Sequence, residues 1–245
     1  MKVALVTGAS RGLGAEIARA LGADGWSVAV NYFRNGTAAK AVVTAIEARG
    51  GRAIASGFDV TDEDAVTAGL DEIERALGPI DLVVNNATGE QPNKAILDQS
   101  WDDHLAQLVF FVKAPTLILQ HLLPDWRQRK TGRVINIGSE VVDLGNPELT
   151  PYVAAKAAML GLTRSWAREL GPDNITVNLV APGWIPTDRH ATSSAESKND
   201  YARLVPLGRQ GDPSDLSGMI VFLASDGASF ITGQTFAVNG GRTLA

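Results

Sequence analysis

Residues 3–14 read VALVTGASRGLG, a short apolar run that passes directly into a glycine-rich turn. The residues that follow, Gly14–Gly22, have the length and pattern of a helix. A strand, a glycine-rich turn and a helix in this order are typical of dinucleotide-binding folds, because glycine lets the backbone approach a pyrophosphate and the helix N-terminus offers unpaired N–H groups. The spacing is GxxxGxG rather than the commoner GxGxxG, so the turn alone is weak evidence. Its position at the first strand–helix junction favours a dinucleotide site over a purely structural turn.

The rest of the chain repeats this alternation of short apolar runs and longer helical stretches. Predicted strands are rich in Val, Ile, Ala and Leu with little polar alternation, as expected for strands covered on both faces; they are Val3–Thr7, Val28–Asn31, Arg52–Gly57, Leu82–Asn85, Arg133–Ile137, Thr176–Ala181 and Thr235–Val238. Predicted helices include Gly14–Gly22, Thr37–Arg49, Asp62–Leu77 and Tyr152–Leu170. The pattern predicts an α/β chain, a single-domain Rossmann fold over residues 1–245 with a doubly wound, seven-stranded parallel sheet and helices on both faces.

Composition excludes several function classes. The chain has no cysteine, which excludes disulfides, thiolate catalysis and a cysteine-based metal site. The spacings of His104, His121 and His190 indicate no metal cage, so we expect no metal. A net charge of −5 argues against a nucleic-acid partner. There is no signal-peptide pattern, and no apolar run approaches the roughly 20 residues of a membrane helix, which predicts no membrane partner and a cytoplasmic location.

The least apolar stretch is residues 188–201, DRHATSSAESKNDY, between a Pro-Gly turn and the last helix. One interpretation is a solvated surface loop. The other is a substrate lid, covering about residues 186–208, because loops of this length inside compact domains are usually functional or disordered.

The end of the second strand indicates which dinucleotide would bind. An acidic residue there holds the ribose 2′-hydroxyl of NAD, whereas a nearby arginine accommodates the 2′-phosphate of NADP. Residues 28–34 read VAVNYFR, and no acidic residue follows until Glu47. Arg34 and Arg11 can pair with a phosphate dianion, although both could also be ordinary surface arginines. We therefore predict NADP(H).

Tyr152 and Lys156 stand four positions apart in YVAAK, at the start of a predicted helix. That spacing places the phenol and the ammonium on one helical face. A free tyrosine has a pKa near about 10, and a neighbouring ammonium is expected to lower that pKa towards neutrality, which suits acid–base catalysis. YxxxK alone is usually just a helix surface. Two strand ends strengthen the catalytic interpretation, because Ser139 and residues 85–87 (NNA) should lie at the same crevice.

These elements together resemble the short-chain dehydrogenase/reductase family, particularly its 3-oxoacyl-carrier-protein reductase-like branch. The matching segments cover nearly the whole chain in the family's order and spacing; they are TGASRGLG at 7–14, FDV at 58–60, NNA at 85–87, Ser139, YVAAK at 152–156, PGWIPT at 182–187 and ITGQTFAVNGG at 231–241.

The resemblance implies a role for each of these residues. Tyr152 would protonate the developing alkoxide, Ser139 would hydrogen-bond the substrate oxygen, and Lys156 would bind the nicotinamide ribose and act on the Tyr152 phenol. Asp59 and Val60 would flank the adenine, and Ile185 and Thr187 would contact the carboxamide end. The complete set predicted to contact the cofactor is Gly8, Ser10, Arg11, Gly12, Leu13, Gly14, Asn31, Arg34, Asp59, Val60, Asn86, Ala87, Tyr152, Lys156, Pro182, Gly183, Ile185 and Thr187.

The chain departs from the family pattern at two places. NNAG becomes NNAT, with Thr88 in place of a glycine, and Gly89 can take over the turn. The family commonly has an asparagine on the next helix, whose backbone holds a water in a proton relay to the lysine. Here that position is Phe111 or Leu108, depending on which end of the segment is aligned, and the segment looks about three residues longer than usual. A bulged helix could still offer a backbone carbonyl to water, or Phe111 could close the relay.

Three functions are compatible with the fold. The resemblance favours an NADPH-dependent oxidoreductase that reduces a 3-oxoacyl group or related ketone to an alcohol. The alternative, motivated by Phe111, is a non-catalytic or weakly active NADP(H)-binding regulator or partner subunit. An epimerase or dehydratase of the longer related families fits poorly, because 245 residues leave no room for the larger C-terminal substrate domain.

The substrate and the partners are less well defined by the sequence. We expect a small-molecule carbonyl substrate, which could be bound to a carrier protein. The predicted pocket wall includes Glu90, Glu140 and Glu148, which disfavour an anionic small molecule. The basic segment 127–130 (RQRK) could dock an acidic carrier protein or be a solvated helix end. The resemblance implies a homotetramer or homodimer. Alanines in segment 154–158 would allow close helix packing, within the chain or between copies.

Overall fold

Seven strands form one parallel sheet in the order β3-β2-β1-β4-β5-β6-β7. The computed structural model describes residues 1–188 and 193–244. The strands are β1 Val3–Val6, β2 Ser27–Tyr32, β3 Arg52–Gly57, β4 Ile80–Asn85, β5 Gly132–Ile137, β6 Ile175–Pro182 and β7 Thr235–Val238. Each predicted strand is present, which confirms the predicted doubly wound, seven-stranded α/β fold.

Helices connect the strands. In the described ranges they are α1 Gly12–Ala23, α2 Gly36–Glu47, α3 Glu63–Leu77, α4 Trp101–Leu108, α5 Ala114–Arg129, α6 Val141–Leu144, α7 Thr150–Leu170, α8 Ala195–Arg203 and α9 Pro213–Ala224. The helix that carries Tyr152 begins two residues earlier than its apolar pattern suggests. Pro151 stands in its first turn, where the missing N–H of proline costs nothing.

Alternate residues of each central strand pack into two separate apolar layers. In β1, Ala4 and Val6 face the layer formed with α1, α2 and α9, whereas Val3 and Leu5 face the layer formed with α3, α5 and α7. The four residues of β1 are buried. Strands covered on both faces explain why the sequence shows continuous apolar runs rather than alternation.

The order in which strands are added to the sheet changes direction at β1. The strands β2 and β3 lie on one side of β1, and β4 to β7 lie on the other. The connections after β1 and after β4 therefore leave the sheet towards opposite sides, which opens a crevice at the carboxyl ends of these strands. Ligands of doubly wound sheets bind in this crevice.

A continuous helix of 29 residues, from Trp101 to Arg129, runs through α4, a π-helical turn and α5. By length and composition alone it could cross a membrane, with a mean hydropathy of 1.4 over 18 residues. We expected no segment of this length because no uninterrupted apolar run approaches roughly 20 residues. The helix contains polar residues between its apolar ones, so a search for uninterrupted runs does not find it. Here Phe111, Ile118, Leu122 and Trp126 are buried, so the helix packs as a core helix does.

Candidate active site

Two glycines of the β1–α1 turn, Gly8 and Gly14, allow neighbouring atoms to approach closely, and Gly12 has the positive φ that favours glycine. Gly8 has φ +62°, and an added Cβ there would lie 2.9 Å from Ala87 Cα. A Cβ on Gly14 would lie 2.5 Å from Asn86 Nδ2, and a Cβ on Gly12, at φ +58°, would lie 3.5 Å from Thr187 Cβ. The chain ends after β1, β4 and β6 therefore meet at one point, and residues predicted from distant parts of the sequence lie together around the glycine turn.

The N-terminus of α1 offers an anion-binding end. Arg11 is the N-cap residue and its side chain makes no capping hydrogen bond, and the first turn of the helix contains no acidic residue. Ser10 is half-buried in the turn, Leu13 packs against the apolar layer, and Arg11 is exposed. Uncapped N–H groups and the positive end of the helix dipole suit a phosphate group.

Thr7 and Asn86 join the first and fourth strands beneath the turn. The Thr7 hydroxyl donates to Val84 O and accepts from the backbone N–H groups of Asn86 and Ala87, at 2.9 and 3.0 Å. The Asn86 amide donates to Thr7 O at 2.8 Å. Thr7 was not predicted as a site residue. The signal was present, because a threonine immediately before the glycines carries the one side chain able to reach the adjacent strand.

Asn31 supports the turn from below. It is buried, its Oδ1 accepts from Gly8 N at 3.1 Å, and its Nδ2 donates to Phe58 O at 3.1 Å. Its amide is therefore occupied by the protein's own backbone, although it was predicted to contact a cofactor. Sequence position places it correctly at the end of β2, but does not show which way the side chain points.

The other residues predicted on the adenosine side lie at the carboxyl ends of β2 and β3. Arg34 is exposed, with its guanidinium carbon 5.2 Å from the centre of the Phe33 ring. Asp59 is half-buried and accepts from the backbone and hydroxyl of Thr61, at 2.9 and 2.7 Å. Val60 is buried. Arg34, Asp59 and Val60 therefore lie at neighbouring strand ends, as predicted from the sequence.

Lys156 anchors the catalytic candidates to the end of β5. It is 5% exposed, and its Nζ donates to Ile137 O at 2.5 Å. The same Nζ lies 5.6 Å from the centre of the Tyr152 ring. Ser139 follows Ile137 by two residues at the end of this strand, and its Oγ accepts weakly from Val141 N at 3.4 Å. Helix α7 and strand β5 thus bring the predicted Ser, Tyr and Lys to the same strand end.

Phe111 covers the lysine from the neighbouring helix. Its ring centre is 3.8 Å from Lys156 Nζ, and it meets the Tyr152 ring edge-to-face at 5.6 Å. Phe111 is fully buried in the π-helical turn Val109–Lys113. A bulged helix was one of the possibilities for this longer segment, and the π-helical turn is such a bulge; it places the Phe111 ring against the ammonium. Aromatic faces attract cations at this distance.

A buried chain of hydrogen bonds fixes α7 on the sheet. Asn85 Nδ2 donates to Asn136 Oδ1 at 2.8 Å, and Asn136 Nδ2 donates to Thr163 Oγ1 at 2.9 Å. Thr163 in turn donates to Met159 O. The chain links β4, β5 and α7, the elements that carry the candidate residues, and it was not predicted from the sequence.

The segment after β6 passes close to Ser139. Pro182 ends β6, the Gly183 N–H donates to Val238 O at 3.1 Å, and Ile185 is buried in the α1-side layer. The predicted lid continues from here. Its residues 189–192 lie outside the described residues, and helix α8 forms its second half.

Glu140 does not line an open pocket, contrary to expectation. It is 4% exposed, and its Oε1 accepts from the Tyr201 hydroxyl at 2.6 Å. Burial raises the pKa of the Glu140 carboxyl above its ordinary value, although the bond from Tyr201 and the nearby Arg242 oppose this effect. Burial and the neighbouring carboxyl also raise the pKa of Tyr201. The sequence places Glu140 next to Ser139, but it does not reveal that Glu140 bonds to Tyr201, 61 residues further along the chain.

The basic segment proposed for carrier-protein docking lies at the wrong edge of the sheet. Residues 127–130 end α5 and immediately precede β5, at the amino ends of the strands, whereas Ser139 follows the carboxyl end of β5. Arg127 and Lys130 pair with Asp173, and Arg129 pairs with Asp81 and Asp125. These charges are largely used within the chain, so the expectation that they flank the pocket mouth is wrong.

One surface cluster could hold a metal ion, contrary to the expectation from histidine spacing. Ligand atoms of Asp71, Glu74 and His121 lie within 4.8 Å of one another, and His121 Nε2 is 3.4 Å from Asp71 Oδ1. Packing of α3 against α5 brings them together, which spacing along the chain does not reveal. The cluster lies on outer helix faces, away from the strand ends that carry Ser139, and exposed acidic groups commonly cluster without an ion.

Comparisons with known proteins agree with this geometry. A family model described as enoyl-(acyl carrier protein) reductase matches residues 8–243. The chain is 42% identical over 245 residues to the 3-oxoacyl-[acyl-carrier-protein] reductase FabG of Staphylococcus aureus, covering 99% of this chain and 98% of that protein. It is 41% identical over 244 residues to a 3-oxoacyl-[acyl-carrier-protein] reductase of Synechocystis, covering 99% and 97%. The chain belongs to the short-chain dehydrogenase/reductase family.

Solved members of the short-chain dehydrogenase/reductase family superpose closely. A blue fluorescent protein from a metagenomic library, in complex with NADPH, has a TM-score of 0.90 at 37% identity, covering 99% of this chain and 98% of that one. A gluconate 5-dehydrogenase from Burkholderia cenocepacia, in complex with NADP and tartrate, has a TM-score of 0.92 at 32% identity, covering 100% and 96%. The family and the fold predicted from the sequence are therefore confirmed.

Proposed function

We propose that this protein reduces a ketone, of the 3-oxoacyl type or related to it, to an alcohol, with Tyr152 as the proton donor. The chain is an NADP(H)-dependent oxidoreductase of the short-chain dehydrogenase/reductase family. The observation that carries the finer proposal is the position of Lys156, held by Ile137 O at the end of β5 on the same helical face as Tyr152.

The residues present fit the cofactor. The β1–α1 turn is a cradle that added Cβ atoms would fill, and the uncapped start of α1 faces it. Gly8, Gly12 and the N–H groups that follow would hold the pyrophosphate. Arg34 and Arg11 would pair with the 2′-phosphate, since no carboxylate stands at the end of β2 to repel it.

When bound, NADPH supplies the hydride that the carbonyl carbon receives. The protein's own groups do the rest. Ser139 would donate a hydrogen bond to the substrate oxygen, where negative charge develops. Tyr152 would donate its hydroxyl proton to that oxygen, and Lys156 would hold the cofactor ribose and favour the phenolate that remains.

The substrate class rests on relatives. The 3-oxoacyl-[acyl-carrier-protein] reductases that this chain resembles cover almost its entire length. A carrier-protein-bound substrate remains a prediction, and no basic docking surface flanks the site among the residues discussed above. Homotetramer or homodimer assembly, a cytoplasmic location and a lid formed by residues 186–208 are likewise predictions.

A second candidate function has one observation in its favour. Phe111 lies on Lys156 at 3.8 Å, where many family members place an asparagine whose carbonyl holds water. If the ring prevents proton resupply to the lysine, the protein would bind NADPH and turn over slowly or not at all, as a regulator or partner subunit would.

The experiment that separates the two mixes the protein with NADPH and a panel of 3-oxoacyl thioesters, diketones and quinones, and follows loss of NADPH absorbance. The reductase proposal expects consumption with at least one 3-oxoacyl thioester or related ketone. Tight NADPH binding, measured by its fluorescence, with no consumption on any substrate would favour the binding protein instead.

A further inference from the structure

One hydroxyl group joins three segments beside Ser139. The Tyr201 hydroxyl, on α8, donates to Glu140 Oε1 at 2.6 Å and accepts from the backbone N–H of Trp184 at 2.8 Å. Glu140 also donates its own backbone N–H to Pro182 O at 3.1 Å. The end of β5, the turn after β6 and helix α8 are thus connected through a single side chain.

The backbone is built around this hydroxyl. A Cβ on Gly183 would lie 2.5 Å from the Tyr201 hydroxyl oxygen and 2.9 Å from Asn239 Cβ, so only glycine fits without displacing Tyr201. The rings of Trp184 and Tyr201 meet edge-to-face at 5.5 Å. Gly183 was predicted to contact the cofactor, and its lack of a side chain has this second, structural reason.

Tyr201 and Glu140 lie between an open cavity and the C-terminal segment. On its other side Tyr201 lines a cavity of about 720 Å³ together with Pro206, Leu207 and Met219. Asn239 and Arg242 of the C-terminal segment face the Glu140 carboxyl, so the acid is surrounded by groups that favour its bond to Tyr201. A buried carboxyl left without its donor costs more than an ordinary lost hydrogen bond.

We propose that Glu140 and Tyr201 are positioning residues, which fix the turn at Trp184 and helix α8 relative to Ser139. The consequence for substrate binding rests on the proposed function, because it assumes that Ser139 and this segment border the substrate. The hydrogen-bonded connection between Glu140, Tyr201 and Trp184 does not depend on the proposed function. Glu140 acts through its neighbour: it adjoins Ser139 in the chain, so a shift of its backbone moves the Ser139 hydroxyl.

Amide hydrogen exchange of the full-length protein, with no substrate present, tests the connection. Tyr201→Phe removes the hydroxyl and keeps the ring, whereas Glu140→Gln keeps a carbonyl oxygen to accept from Tyr201 and serves as the matched control. In Tyr201→Phe we expect the Trp184 amide and the amides of α8 to exchange about tenfold faster or more, because opening now breaks one buried bond fewer. Amides of β1, β4 and β5 should keep their protection in Tyr201→Phe, and in Glu140→Gln the amides of Trp184 and α8 should stay as protected relative to the sheet as they are in the wild type.

Unchanged exchange at Trp184 and α8 in Tyr201→Phe would overturn the proposal, and so would an acceleration spread evenly over the sheet, which indicates a general loss of stability. Kinetics provide a second readout once a substrate is known. Tyr201→Phe should raise KM for the carbonyl substrate with a smaller change in kcat, and Glu47→Gln, at an exposed glutamate that ends α2, should leave both values unchanged. Absence of any reductase activity would refute the proposed function and leave the exchange result standing.

Discussion

Arg34 is the side chain on which the choice of cofactor depends. It is exposed just after β2, with its guanidinium carbon 5.2 Å from the centre of the Phe33 ring, and we expect it to pair with a 2′-phosphate. We expect Arg34→Gln to raise KM for NADPH by roughly 10- to 100-fold, the effect of losing a hydrogen bond to a charged group, and to change KM for NADH much less. Steady-state kinetics with both cofactors measure this difference.

Arg49→Gln is the matched control, because Arg49 is exposed just beyond α2, at the amino end of β3 and so at the opposite edge of the sheet from the site. It should leave the ratio of the two KM values unchanged. An equal loss with NADPH and NADH in Arg34→Gln would contradict recognition of the 2′-phosphate by this arginine.

At the residue scale, the sequence predicts position better than orientation. Glycine, serine, tyrosine and lysine at fixed distances from strand ends were placed correctly, because the carboxyl ends of parallel strands share one edge. The direction of Asn31, the partner of Glu140 and the bridging role of Thr7 depend on hydrogen bonds between residues 23 to 80 positions apart. Nothing in local sequence specifies these bonds.

The π-helical turn is the element that distinguishes this site. An extra residue in the helix rotates the following turn, which directs Phe111 onto Lys156 and Tyr152. The lengthened segment between Trp101 and Lys113 made a bulge possible but did not predict which side chain it would turn inward, since periodicity is lost where the helix changes its winding. The strands, by contrast, follow directly from the apolar pattern, as do helices such as α3 and α7.

Phe111 should contribute strongly to stability because it is fully buried against α7 and β6. We expect Phe111→Ala to lower the free energy of unfolding by about 3–5 kcal/mol, through lost burial and the cavity that remains. Urea denaturation of the variant and the wild type measures this loss.

Phe33→Ala provides the comparison, because Phe33 is 58% exposed and should change the free energy of unfolding by no more than about 0.5 kcal/mol. A Phe111→Ala variant as stable as Phe33→Ala would contradict the packing described for the π-helical turn.

At the scale of the whole molecule, the buried Glu140 predicts how stability depends on pH. Burial raises its pKa in the folded protein, so the folded state binds this proton more tightly than the unfolded chain does. Its contribution to stability is complete below the unfolded pKa of about 4.5 and is lost as pH rises through the folded value. We therefore expect Glu140→Gln to remove a component of the free energy of unfolding that falls as the pH increases above about 4.5.

Denaturation with urea at a series of pH values measures this slope. Glu148→Gln is the control, because Glu148 is exposed and its substitution should leave the slope as in the wild type. Identical pH dependence in wild type and Glu140→Gln would show that the Glu140 carboxyl titrates normally in the folded protein.

The sheet itself was predictable at this scale. Seven apolar strands joined by helices admit few parallel arrangements, and right-handed crossovers with a single reversal place β1 beside β4. Contacts between elements distant in sequence, such as α8 against the ends of β5 and β6, could not be read from the pattern.

The most direct test of the proposed chemistry is the turnover of Tyr152→Phe on a substrate that the wild type reduces, measured together with its affinity for NADPH. We predict that kcat falls by about 10²- to 10⁴-fold, because the proton donor is lost, while NADPH still binds. Turnover at the wild-type rate would contradict the assignment of Tyr152 as the acid.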